Sequence, residues 1–90
     1  MSVKVKIAPL LRKYTNRQEL FEMTGNNPMD CLNKLVTQFP GIRRWLYDEQ
    51  GKLRPQVWFF VNGERIYAND YARPLNDGDE VSIFLAIGGG

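Results

Sequence analysis

The sequence predicts an α+β fold in which one helix packs across one face of a mixed β-sheet. Residues 3–8 alternate between apolar and charged side chains, as a half-buried strand does. Residues 28–39 carry a single apolar stripe at helical spacing. Residues 57–61 form the most apolar strand and are followed by an Asn-Gly pair typical of tight hairpins. Ninety residues with 43% hydrophobic content are enough for one such domain with one core.

The N-terminal half is predicted to hold two strands and the main helix. Residues 10–18 form a wide connection, and residues 19–24 return as a second strand antiparallel to the first. Asn27 suits the N-cap of the helix, Pro28 its first position, and Asp30 its first turn, where a negative charge is favourable. The stripe expected to face the sheet consists of Leu32, Leu35, Val36 and Phe39.

The C-terminal half is predicted to hold an antiparallel hairpin and a last strand. Strand 57–61 reverses through Asn62 and Gly63 in a type I′ turn and returns along residues 64–67. A second tight turn at residues 75–79 leads into the last strand, which runs directly into three glycines. This order of elements predicts the β-grasp arrangement, with a mixed sheet of four to five strands.

Composition argues against several function classes. A single cysteine excludes an internal disulfide. The chain has no histidine, the commonest metal ligand and the commonest general base, so no metal site is expected. A net charge of +2, spread along the chain, gives no reason to expect nucleic acid. No apolar run approaches the ~18 residues of a membrane helix, so the protein is expected to be cytoplasmic and away from membranes. Cys31 is expected to be a core residue, and Asp77 and Asp79 to shape a turn and not to act as an acid–base pair.

Side-chain parity in the last strands predicts an aromatic surface. If alternate residues face the helix, Trp58 and Phe60 face away from it, and so do Ser82 and Phe84. A contiguous aromatic patch on the open side of a sheet usually marks an interface. These four residues are therefore candidate partner-binding residues, unless the first wide connection or residues 67–71 fold over them.

The chain ends in Gly88, Gly89 and Gly90, which contribute no side chain to a core and lose much backbone freedom on ordering. We therefore expect a folded domain at residues 1–87 and a flexible tail at residues 88–90. A tail without side chains can enter a narrow channel and present the α-carboxylate of Gly90. A carboxylate reacts only after activation, most simply by ATP-driven adenylation. The chain has no phosphate-binding loop, so a partner must supply that step.

Two motifs resemble the MoaD/ThiS family of ubiquitin-like sulfur carriers. One is DGDEV at residues 77–81, before an apolar strand that ends in glycines, and the other is VNGE at residues 61–64. The likeness covers nearly the whole chain. Three further segments are most similar to the branch that contains the sulfur carrier of cysteine biosynthesis and the small archaeal modifiers: LRKYT at 11–15, FPGI at 39–42 and GKLR at 51–54.

The resemblance implies a carrier that acts as a co-substrate and is not itself an enzyme. An E1-like enzyme, using ATP and magnesium, would adenylate Gly90, and a sulfur donor would then displace AMP to leave a thiocarboxylate. The sulfur would pass to an acceptor enzyme, a pyridoxal-phosphate-dependent synthase in the cysteine branch, with the molybdopterin and thiamine branches as other destinations. Phe60 and Phe84 match positions that partners grip in the family. No bound cofactor is implied for the carrier itself.

Two other functions remain open at this point. A ubiquitin-like modifier would join Gly90 to lysines of other proteins, starting from the same adenylate. A non-covalent β-grasp adaptor would use its aromatic surface alone. Gly88 adds a third glycine to the usual two, which lengthens the tail by about 3.5 Å and bears on which partner's channel fits.

Overall fold

The computed structural model describes residues 2–86. Its strands and α-helices, numbered in chain order, are β1 (Ser2–Ile7), β2 (Leu20–Thr24), α1 (Pro28–Gln38), α2 (Arg43–Leu46), β3 (Val57–Val61), β4 (Glu64–Ile66) and β5 (Glu80–Leu85). Short 3-10 helices occupy Pro9–Tyr14, Pro40–Ile42 and Ala68–Asp70. The predicted tail at 88–90 and the last residue of the predicted domain lie outside the described residues, so that boundary stays a prediction.

The five strands form one sheet in the order β2-β1-β5-β3-β4. Strands β1 and β5 are parallel, with Val5 opposite Val81, and the remaining pairs are antiparallel. This confirms the predicted mixed sheet and the β-grasp arrangement. The topology places β5 at the centre, between β1 and β3, so the strand that leads to the glycines is anchored on both edges.

Helix α1 begins where the sequence predicts. The Asn27 side chain accepts a hydrogen bond from the Asp30 backbone N–H at 2.7 Å, which satisfies one of the free donors at the helix start, and Pro28 follows the cap. Leu32 and Leu35 are fully buried against the sheet, as the stripe requires. The core between helix and sheet also contains Val3, Val5, Ile7, Phe21, Val36, Ile42, Leu46, Val57, Phe59, Val61, Ile66, Val81 and Ile83.

The wide connection predicted at residues 10–18 is more ordered than expected. It contains the 3-10 helix Pro9–Tyr14, which buries Leu11 completely. The ring of Tyr14 lies 6.0 Å from that of Trp45, between centroids, on the helix side of the sheet. Leu11, the buried Thr15 and the packing of Tyr14 anchor this loop to the core. A 3-10 helix this short leaves no apolar periodicity in the sequence by which it could be predicted. In residues 2–86, no helix has the length and apolarity needed to cross a bilayer.

The two tight turns are joined by side-chain hydrogen bonds. Asn62 and Gly63 have φ values of 51° and 84°, as a type I′ turn requires. The Asn62 side chain accepts from the Glu80 N–H at 2.9 Å and donates to Asp79 Oδ1 at 3.0 Å. Asp79 Oδ2 in turn accepts from the Asn76 N–H at 2.8 Å. Asp79 therefore shapes the turn as predicted. The Asp77 carboxylate instead accepts from the Ser2 N–H at 2.9 Å and ties the turn to the start of β1.

Replacing Asp79 with asparagine is expected to make stability less dependent on acid pH. The hydrogen bond from the Asn62 side chain, and to a smaller extent that from the Asn76 backbone, lowers the pKa of the Asp79 carboxyl. A lowered pKa means that the ionised carboxylate stabilises the folded state above the ordinary aspartate pKa of about 3.9, and that this contribution is lost as pH falls through the folded-state value. Thermal unfolding followed from pH 7 to strongly acid pH should show a shallower loss for Asp79→Asn than for the wild type. Glu64→Gln, which removes an exposed carboxyl near the same turn, is the control and should retain the wild-type profile.

Candidate functional site

The open side of the sheet carries the aromatic residues that parity predicted. Trp58 lies opposite Phe84 in the β3–β5 register, and Phe60 lies opposite Ser82. The alternating burial of β3 places Val57, Phe59 and Val61 in the core and leaves Trp58 and Phe60 half-buried on the other face. The Phe60 and Phe84 rings meet edge to face, with centroids 5.4 Å apart at 85°. The three aromatic side chains therefore form one contiguous surface.

Ser82 lies on the predicted face but is buried, with 8% of its surface exposed. Its cross-strand neighbours are Lys6 on β1 and Phe60 on β3, both much larger than serine. A small side chain in the central strand is covered by such neighbours on each side. Ser82 therefore offers a partner little direct contact. It lies at the bottom of a shallow depression between larger side chains.

Two further residues belong to this surface, and the sequence reasoning missed both. The Arg65 guanidinium carbon lies 3.7 Å from the Trp58 ring centroid and 4.7 Å from that of Tyr67, whose surface is 59% exposed. Arg65 Nε is buried and has no hydrogen-bond acceptor within residues 2–86. A two-residue turn at Asn62 and Gly63 places Arg65 opposite Phe60. The hairpin register is therefore the feature of the sequence from which Arg65 could have been predicted.

We call Trp58, Phe60, Phe84, Arg65 and Tyr67 the aromatic face. Two segments were considered as a cover, the first connection and residues 67–71. The first connection packs on the helix side. Residues 68–71 turn to the same side, whereas Tyr67 stays on the open side and becomes part of the face through its contact with Arg65. On the helix side the Tyr71 ring stacks on the core residue Phe59, with centroids 4.5 Å apart. Within the part of the chain that the structure describes, the aromatic face is accessible to a partner.

The aromatic face lies next to the point where β5 ends. Ala86 donates its backbone N–H to the Gln56 carbonyl at 2.7 Å, which holds the chain against β3 just before the tail. Phe84 is two residues before this contact, and Gly90 is four residues after it. Four extended residues span at most about 14 Å. Gly88, Gly89 and Gly90 themselves lie outside the described residues, so their assignment to the reactive tail stays a prediction.

Cys31 takes no part in this site. It lies on the buried side of α1, and burial, with a smaller contribution from Asp30, raises the pKa of its thiol to about 11. A thiol that stays protonated at neutral pH is a poor nucleophile and a poor metal ligand. The prediction that Cys31 is a core residue is confirmed.

A five-stranded mixed sheet with one main helix across it, and with its C-terminal strand at the centre, is the architecture of a ubiquitin-like β-grasp domain. Within that class, the family model of the ThiS family matches residues 5–90. The chain belongs to the ThiS family. The resemblance carried by the two turn motifs is thus confirmed.

Relatives of the chain include sulfur carriers and archaeal modifiers. The sulfur carrier protein CysO of Mycobacterium tuberculosis is 32% identical over 93 residues, with all of both chains covered. A solved structure of the BexX/CysO complex from Amycolatopsis orientalis contains a chain that is 27% identical, with a TM-score of 0.80, 98% of this chain covered and 99% of that one. The small archaeal modifier protein 1 of Methanosarcina acetivorans is 25% identical, with a TM-score of 0.81 and coverage of 99% and 96%.

Proposed function

We propose that this protein is a sulfur carrier whose Gly90 carboxylate is converted to a thiocarboxylate. The observation that carries the proposal is the end-to-end similarity to a sulfur carrier protein, at 32% identity with all of both chains covered. The position of the aromatic face supports it, because a partner that holds this face is within reach of the tail. The carrier takes part as a co-substrate, and partner enzymes supply the catalysis.

The proposed chemistry begins at the Gly90 carboxylate. One of its oxygens attacks the α-phosphorus of ATP, bound with magnesium in an E1-like enzyme, and pyrophosphate leaves. The resulting acyl-adenylate is electrophilic at the glycine carbonyl carbon. A sulfur donor attacks that carbon, the C–O bond to AMP breaks, and AMP departs with the electron pair. A persulfide donor needs a further reduction of its S–S bond by a thiol, whereas sulfide gives the thiocarboxylate directly.

The aromatic face is the proposed grip of the activating enzyme. Aromatic and arginine side chains contribute disproportionately to protein interfaces, and here Arg65 is already stacked between Trp58 and Tyr67. Such stacking orders the arginine before binding, so less side-chain entropy is lost when a partner docks. We propose Trp58, Phe60 and Phe84 as the contact residues, with Ser82 between them.

We propose a pyridoxal-phosphate-dependent synthase as the acceptor of the sulfur, as in the cysteine branch. The similarity to CysO over the full chain favours this destination over molybdopterin or thiamine synthesis. The thiocarboxylate sulfur would attack an activated serine derivative held by that enzyme, forming a C–S bond as the leaving group departs. Hydrolysis of the carrier–cysteine bond would then regenerate the Gly90 carboxylate.

The test is the intact mass of the protein isolated from its native cells and after incubation with native lysate, ATP and sulfide. The expected result is a species in which one oxygen at Gly90 is replaced by sulfur, located by fragmentation at the C-terminus. Omission of ATP should abolish its formation. A free carboxylate under every condition would overturn the carrier proposal.

A protein modifier is the second candidate, favoured by the similarity to small archaeal modifier protein 1. The same incubation separates the two functions, since a modifier would appear in isopeptide bonds to lysines of larger proteins. An adaptor that works through the aromatic face alone would give neither product and would still bind its partner.

A further inference from the structure

A cleft beside the root of the tail carries charge that the proposed function has not used. Its volume is about 320 Å³, at the lower end of the roughly 300–1,000 Å³ typical of ligand sites. It is assembled from the segment around α2, the residues before β3 and the end of β5. Its lining consists of Arg44, Trp45, Arg54, Gln56 and Leu85. No carboxylate is among these residues.

The two arginines of the cleft have hydrogen-bonding capacity to spare. Arg54 Nε donates to the Arg44 carbonyl at 3.1 Å, which fixes the Arg54 side chain along the rim. Within residues 2–86, neither guanidinium has a carboxylate within 4.0 Å. Two guanidinium groups with free N–H donors are suited to a planar oxyanion, which they bind through paired hydrogen bonds.

Trp45 adds a donor that lacks an acceptor. Its Nε1 is buried and has no hydrogen-bond partner within the described residues, a state that folded proteins seldom leave uncompensated. The Arg44 guanidinium carbon lies 5.8 Å from the Trp45 ring centroid, so Arg44 borders the indole. An acceptor drawn in by Arg44 would arrive next to the indole ring.

The cleft lies at the point where the chain leaves the sheet. Leu85 forms one wall, and Gln56, which forms another, accepts the Ala86 N–H through its carbonyl. A protein that holds Gly90 in a catalytic channel lies within about 14 Å of this point, the span of four extended residues. The cleft is therefore within reach of such a partner. It lies on the opposite side of the sheet from the aromatic face, because Trp45 packs with Tyr14 on the helix side.

We propose that this cleft binds a carboxylate side chain, aspartate or glutamate, of the activating enzyme that receives the tail. The proposal rests on the proposed function and extends it, since it gives the partner a second and chemically defined contact. The apolar walls formed by Trp45 and Leu85 accommodate the methylene part of such a side chain, and Arg44 and Arg54 hold its oxygens. Gripped on both faces of the sheet, the carrier would direct its tail along one line.

Binding by the cleft is tested with the full chain and a small probe. The indole N–H signal of Trp45, assigned with Trp58→Phe, is followed by NMR during titration with N-acetylglutamate. N-acetylglutamine is the matched neutral probe. A saturable movement is expected with the acid and not with the amide, and Arg44→Gln or Arg54→Gln should each weaken it by about tenfold.

Arg43→Gln is the matched control variant. Arg43 is the neighbour of Arg44 on α2, but its guanidinium carbon lies 5.3 Å from the Tyr47 ring centroid and it does not line the cleft. Its affinity for the probe should stay within about twofold of wild type. Equal weakening by Arg43→Gln, or equal responses to both probes, would overturn the site. So would a Trp45 signal that moves when residues 88–90 are removed, because the chain's own terminus would then be the occupant.

The role in partner binding is tested separately. Arg44→Glu with Arg54→Glu should slow thiocarboxylation in native lysate by at least tenfold, and Arg43→Glu should not. An unchanged rate in the double variant would overturn the partner contact while the carrier function stood. If the wild type itself forms no thiocarboxylate, the carrier proposal and the partner contact both fail, and the NMR titration alone decides whether the cleft binds carboxylates.

Discussion

Removing Gly90 is expected to reduce thiocarboxylation by at least about 100-fold while the domain stays folded. The truncation draws the terminal carboxylate back by about 3.5 Å, and a misplacement of about 1 Å at a reacting atom already costs about 100-fold in rate. The fold should be unaffected, because the last described backbone contact, between Ala86 and Gln56, precedes Gly90 by four residues. Intact mass after incubation with lysate, ATP and sulfide gives the rate, and thermal unfolding gives the stability.

The third glycine makes this truncation informative. The shortened chain still ends in Gly88 and Gly89, so it keeps a glycine carboxylate and loses only length. Thiocarboxylation of Gly89 at the wild-type rate would contradict the assignment of Gly90. The activating enzyme would then recognise a terminal glycine carboxylate whatever its distance from the folded domain. Retention of all cellular function without any sulfur transfer would favour the adaptor.

The features that the sequence predicted depend on local rules. The start of α1 follows from Asn27 and Pro28, which act within one helical turn. The turn at Asn62 and Gly63 follows from the ease with which these residues adopt positive φ. The position of Trp58, Phe60 and Phe84 on the open side of the sheet follows from strand parity, because successive side chains must point to opposite sides.

The features that the sequence did not predict arise from tertiary contacts. The cleft joins Arg44 and Arg54 to Leu85, which is some thirty to forty residues further along the chain. No periodicity encodes that meeting. The burial of Ser82 depends on the sizes of its neighbours on two other strands, which parity does not consider. The stacking of Arg65 on Trp58 required both the hairpin register and a side-chain conformation, and the sequence specifies the first alone.

Replacing Phe60 with alanine is expected to weaken docking to the activating enzyme by about 30-fold, the effect of losing an interface anchor worth about 2 kcal/mol. Phe60 is at the centre of the aromatic face, in edge-to-face contact with Phe84. Because its side chain faces away from the core, the domain should remain folded. The measurement is the rate of thiocarboxylation at increasing carrier concentration against a fixed amount of lysate, ATP and sulfide.

Leu20→Ala is the matched control, because Leu20 is on the same side of the sheet and in the same cross-strand row, through Lys6 and Ser82, but three strands away on β2. Its surface is 51% exposed, so its truncation also removes apolar surface from the open side. An equal loss in Leu20→Ala would contradict a grip centred on the aromatic face.

The kinetic form of the Phe60→Ala effect decides what the aromatic face does. Docking energy that is equal in the ground state and the transition state appears in KM and leaves kcat unchanged. The expected result is therefore an increase in apparent KM with a constant maximal rate. A lower maximal rate at unchanged KM would contradict a pure docking role. It would mean that Phe60 aligns the tail once the carrier is bound. The position of the reacting carboxylate in the enzyme would then depend on the aromatic face as well as on the number of glycines.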